Sequence, residues 1–90
     1  MKVLRLALDE EYFLLIEAGV KAEEYREVKP YWTKRLEGQT YDKIVLTWGY
    51  PKAGDPERTI ERPWRGFTRK TITHKKFGNV PTEVYAIDVR

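Results

Sequence analysis

Gly19-Val20-Lys21-Ala22-Glu23-Glu24-Tyr25-Arg26 is the segment on which the architecture turns. Before it, Asp9 to Ala18 reads as a short helix. Asp9 is the N-cap, Glu10 and Glu11 place negative charge in the first turn, and Tyr12, Phe13 and Ile16 form an apolar stripe at helical spacing. Gly19 ends that helix, because a left-handed residue costs glycine little. From Glu23 the chain is expected to run extended to Val28, and side chains two apart on a strand share a face. Glu24 and Arg26 therefore project together, with Lys21 on the turn leading in. One carboxylate between two cations makes a net positive cluster able to orient a phosphate, a base edge or a polar carbonyl. The competing reading is a surface ion pair, worth about 0–1 kcal/mol.

Outward from this segment, Lys2 to Leu8 alternates, with Leu4, Leu6 and Leu8 on one face, and predicts a half-buried first strand. Pro30 suits the first turn of a second short helix through Leu36, closed by Gly38. Tyr41 to Tyr50 is the strongest strand pattern, with Ile44, Leu46 and Trp48 opposite Val45 and Thr47. Gly49 to Pro56 is rich in Gly and Pro and predicts a loop. Arg58 to Thr71 reads as one long strand, bent or bulged at Pro63 and Gly66. After a loop from Lys75 to Pro81, Glu83 to Val89 alternates again. The sum is a single α+β domain over residues 1–90, with one N-terminal helix, a second short helix and about five strands. Strong bends suit a small closed or nearly closed barrel. An OB-like barrel fits the composition as well.

The Gly-x-Lys-x-x-Glu-x-Arg spacing and its continuation, Glu27-Val28-Lys29-Pro30-Tyr31-Trp32, resemble the signature of the ASCH domain (activating signal cointegrator homology). This is a branch of the PUA-like superfamily, and the likeness is to its small stand-alone bacterial or phage-type members. The specific residues span positions 19 to 32; the order of elements fits nearly the whole chain. The resemblance implies a PUA-like barrel with a ligand cleft beside the first helix. There Lys21 would contact a phosphate or polarise a carbonyl, Glu24 would orient Lys21 or accept from a base amino group, and Arg26 would make a bidentate contact. It implies RNA or a nucleotide as ligand.

Some small ASCH proteins hydrolyse acylated cytidine nucleosides, and others are described as ribonucleases. The amidohydrolase branch carries Lys-x-x-Thr with the Thr as nucleophile, plus a separate Glu. Here Lys21-Ala22-Glu23-Glu24 puts a carboxylate where that hydroxyl would stand, so the mechanism does not transfer directly. An enzyme built on this chain would use Lys21 and Glu24 as an acid–base pair. A reader that binds a modified nucleotide without turnover is a third reading.

Charge is distributed unevenly. Between Asp9 and Glu27 stand seven acids and two bases, whereas from Arg58 to Lys76 stand seven bases against Glu61 alone. The second segment reads either as a phosphate-binding stripe, with Arg62, Arg65, Arg69 and Lys70 as contacts, or as a solvated edge strand whose cations discourage aggregation. Tyr25, Tyr31 and Trp32 flank the motif. Tyr31 joins the candidate binding set because aromatic faces beside cations stack single-stranded bases, whereas Trp32 and Trp48 read as packing. His74 is a possible base, but reads more simply as a loop residue.

There is no cysteine and one histidine, so thiolate chemistry and a His-rich metal site are excluded; no metal and no cofactor are expected. No apolar run is long enough for a membrane span, and Met1 to Leu6 lacks a signal-peptide cleavage pattern, so the expected location is cytoplasmic.

Overall fold

The computed structural model describes residues 1–51 and 55–90. The chain runs β1 (Val3–Leu8), α1 (Glu10–Glu17), β2 (Glu23–Glu27), α2 (Pro30–Leu36), β3 (Lys43–Trp48), β4 (Thr59–Pro63), β5 (Phe67–Thr73) and β6 (Pro81–Asp88), with 3-10 turns at Pro56–Arg58 and Lys75–Phe77. Among the described residues it is an α+β fold of two helices and six strands. The loop expected from Gly49 to Pro56 includes residues 52–54, which lie outside the described residues.

The helix boundaries follow the sequence signals closely. Asp9 holds the N-cap position of α1, but its side chain makes no capping bond; its carbonyl accepts from the Phe13 N–H at 3.0 Å. Gly19 adopts φ +76°, which turns the chain so that the N–H groups of Val20 and Lys21 both donate to the Leu15 carbonyl. Pro30 opens α2 as expected.

The strands form two sheets, β1-β3-β4 and β2-β6-β5, and neither closes into a barrel. In the first, β1 pairs with β3 in parallel and β3 with β4 antiparallel; the second is antiparallel throughout. The expectation of one long strand from Arg58 to Thr71 is therefore corrected. The chain leaves β4 at Pro63, turns through Gly66 at φ +85°, and enters the other sheet as β5. Pro63 carries no N–H to extend the β4 ladder, and Gly66 supplies a backbone angle that L side chains resist. The break turns about five strands into six and one barrel into two sheets.

The two sheets share one core. Leu4, Leu6 and Leu8 from β1, Ile44 and Leu46 from β3, and Ile60 from β4 meet Tyr85 and Ile87 from β6. Tyr12, Phe13 and Ile16 of α1 and Leu36 of α2 complete it. Tyr85 is fully buried, and its phenol is satisfied by Thr33 Oγ1 at 2.8 Å and by donation to Glu37 Oε2 at 3.1 Å. Buried phenols need such partners, and these two fasten α2 to β6.

A Cβ built on Gly66 meets no atom within 4 Å, so only the backbone angle resists substitution. Gly66→Ala is expected to destabilise the protein by about 1 kcal/mol, read as a lowered urea midpoint with an unchanged slope.

Candidate functional site

Glu24 lies on the inner face of β2 and is 1 % exposed. A carboxylate at that depth is tolerable only when paired and hydrogen-bonded. Arg26, two residues on and on the same face, places Nη2 3.1 Å from Glu24 Oε2. Lys21, on the turn after Gly19, brings Nζ to 3.7 Å from Oε1. Lys76, from the 3-10 turn after β5, brings Nζ to 3.3 Å from Oε2 and also donates to the Tyr25 carbonyl at 3.1 Å. The three charged motif residues thus assemble as the spacing predicts, and a third cation joins them from fifty-two residues away. The resulting group is one carboxylate among three cations, net positive and mostly withdrawn from water.

Aromatic rings enclose the amines. Lys21 Nζ stands 4.5 Å from the Tyr25 ring centroid and 5.4 Å from that of Tyr12; Lys76 Nζ stands 5.4 Å from Tyr12. Burial pushes both amines below the ordinary lysine value, against the pull of Glu24. The folded state therefore holds these protons less tightly than the unfolded chain does. Linkage then makes stability rise with pH as they leave. The penalty is full below the folded values and is gone by about 10.5, the unperturbed value. Burial also raises the phenols of Tyr12 and Tyr25, so neither ring ionises to compensate near neutrality.

Arg26 also joins the two sheets. Its Nη2 donates to the Ala7 carbonyl at 3.0 Å. Leu8 turns its own carbonyl toward β3, accepting from the Gly49 N–H, so the neighbouring Ala7 carbonyl faces the open edge of β1. The guanidinium carbon lies 5.2 Å from the Trp32 ring centroid, and Nε is buried with no hydrogen-bond partner among the described residues. Arg26 thereby reaches a cleft of about 690 Å³. Its floor is the outer face of the β1-β3-β4 sheet, and Tyr31 and Trp32 of α2 form a wall. This cleft lies against α2. Lys21 faces a separate hollow of about 510 Å³ beside Tyr25 and Arg90.

The other expected site residues are dispersed. Tyr31 lines the cleft and is 56 % exposed. Arg62 turns toward α1 and donates to the carbonyls of Ile16 and Glu61. Arg65 is exposed on the crossing between β4 and β5. Arg69 pairs with Glu83 and Glu37, and Lys70 with Glu23. Lys75 pairs with Glu11. Lys70, Lys75 and Lys76 of the basic segment thus pair with Glu23, Glu11 and Glu24 of the acidic one.

The expected packing roles of the tryptophans hold: Trp32 and Trp48 are both packed against the core. Trp64 packs there too, against Tyr41 and Phe67. His74 caps the 3-10 turn, its Nδ1 accepting from the Lys76 N–H at 3.0 Å. That cap sets where Lys76 points. The sequence reading missed Lys76 as a member of the cluster and Arg5 as a cleft residue. The basic run at Lys75-Lys76 was a visible signal, but only the path of the chain identifies its carboxylate partner.

Among the described residues there is no group of three or more metal-ligating side chains, and no helix is long and apolar enough to cross a membrane. Compared with known proteins, the chain matches no family model, no curated sequence and no solved structure.

Removing the carboxylate leaves three cations facing one another. Glu24→Gln is expected to cost about 3 kcal/mol or more of stability, with part of it recovered in the double variant Glu24→Gln/Lys76→Met; urea unfolding of both measures it. The charge of Lys21 is among the causes that lower the Lys76 amine. Lys21→Met should therefore raise the Lys76 pKa, read from its side-chain NMR shifts against pH.

Proposed function

We propose that this chain is an ASCH-type, PUA-like domain that binds RNA or a nucleotide, with the ligand entering the cleft at Arg26. In place of a closed barrel, its two sheets are bridged across the open edge of β1 by the Arg26 side chain. The observation that carries the reading is the uncompensated charge at Glu24. Three cations surround one buried carboxylate, and one of them, Arg26, opens onto a cleft walled by Tyr31 and Trp32. A net positive, poorly hydrated group beside aromatic walls favours an anion that carries a planar ring. The cleft has the volume usual for small-ligand sites.

Hydrolysis of an acylated nucleoside is the second reading. It is favoured by the lowered Lys21 amine, which sheds its proton more readily than an exposed lysine does. Glu24 is less suited to that chemistry, because it is shielded by three cations and almost wholly out of reach of solvent.

The test is fluorescence anisotropy with a labelled single-stranded RNA at two salt concentrations, alongside product analysis with acylated cytidine. Binding is expected to weaken steeply with salt. Tyr31→Ala, an exposed position, should weaken it about tenfold without lowering thermal stability. Salt-independent binding, or none, rejects the reading. Turnover that Lys21→Ala abolishes in a folded protein establishes the hydrolase in its place.

A further inference from the structure

We propose that the outer face of the β1-β3-β4 sheet is a docking surface for single-stranded nucleic acid, on which Tyr50 and Tyr31 stack separate bases and Arg5 takes a phosphate. This rests on the nucleic-acid reading above and locates it.

Strand register builds the surface. Arg5, Val45 and Glu61 form one cross-strand row, and Ala7, Thr47 and Thr59 form the next. All six lie on the face opposite the core leucines of β1. The middle of this floor is apolar, and Val45 is only 5 % exposed although it belongs to the outer face. The floor is therefore recessed below its walls.

Two large rings rise at the cleft and do little for folding. Tyr50 is 95 % exposed and Tyr31 56 %, and both line the cleft. One face of Tyr31 is taken by Arg35, whose guanidinium carbon lies 3.6 Å from the ring centroid. Trp32 stands edge-on to it with ring centroids 5.0 Å apart, and the ring is thereby braced while 56 % exposed. Exposed aromatic rings beside cations are how single strands are held, because every base offers a face to stack. A duplex keeps its base faces stacked on one another and has none to offer such rings.

The pattern of matched charge points to the same surface. Arg69, Lys70 and Lys75 are each held by a carboxylate. On the cleft floor Lys43 is matched by Glu61 at 2.9 Å. Arg5 is exposed and joins none of the ion pairs found among the described residues. It is the cleft cation with no internal carboxylate to give up on meeting a phosphate. Of the phosphate contacts the sequence reading placed on the basic strand, Arg69 and Lys70 are matched by carboxylates, whereas Arg5 on β1 is not.

The experiment compares a labelled eight-nucleotide single strand, as RNA and as DNA, with the matching nucleoside monophosphate. Wild type is measured beside Tyr50→Ala, Arg5→Ala and the double variant Arg69→Ala/Lys70→Ala. All these positions are exposed, and each variant is first checked by thermal melting. The eight-mer is expected to bind at least tenfold more tightly than the monophosphate. Tyr50→Ala should weaken it about tenfold. Arg5→Ala should reduce the slope of log affinity against log salt by about 0.7, and the β5 double variant should change little.

If the eight-mer gains nothing over the monophosphate, the surface is overturned and a one-nucleotide site remains. Binding that survives Tyr50→Ala and Arg5→Ala but fails in the β5 double variant overturns it too, while leaving the nucleic-acid reading intact. No binding of any of these ligands to wild type overturns both.

Discussion

The carboxylate of Glu24, buried to 1 % exposure, sets the terms for the middle of this molecule. An ionised group withdrawn from water must be met by charge, and the chain meets it from three directions: the turn after α1, the same face of β2, and the 3-10 turn after β5. Each cation then does something further. Lys21 and Lys76 both stand over Tyr12 of α1, and Arg26 crosses to the Ala7 carbonyl on β1. One carboxylate thus links α1, β2 and the turn after β5, and through Arg26 it links the two sheets. Because the cations outnumber it, the group also keeps an excess of positive charge. A structural device and an anion-attracting one therefore share the same atoms.

The same complementarity operates over the whole chain. The acidic stretch from Asp9 to Glu27 and the basic stretch from Arg58 to Lys76 are far apart in sequence but adjacent in space. Glu11 meets Lys75, Glu23 meets Lys70, and Glu24 meets Lys76. The exposed members of such pairs contribute little stability each. Their larger consequence is negative: they engage Lys70, Lys75 and Lys76, part of what seemed, in one dimension, to be a stripe for phosphate. The cleft keeps Arg5 and Arg26 among its lining, with Lys43 paired to Glu61.

The cleft itself depends on the placement of α2. Tyr85, at the centre of β6, is buried with its hydroxyl shared between Thr33 and Glu37, and this fixes the helix that carries Tyr31 and Trp32. The floor opposite is made by strand alternation, which sends leucines inward and Arg5, Thr47 and Thr59 outward. The cleft floor and the core thus occupy the two faces of the same three strands.

Local chemistry made much of this legible in the sequence. Apolar periodicity marked α1, β1 and β3; Gly19 and Pro30 marked where α1 stops and α2 starts; the two-residue spacing of Glu24 and Arg26 put them on one face. These depend on neighbours in the chain, so the chain reports them. Three decisions belonged to tertiary structure. The first was the switch of sheets at Gly66, since a glycine in a strand permits a bend, a bulge or a crossing alike, and only pairing with β6 chooses. The second was Lys76 as the third partner of Glu24, a contact across fifty-two residues that no local pattern encodes. The third was the matching of charge, which decides whether a cation is available to a ligand. Charge is a property of the residue, but its availability is a property of the space around it.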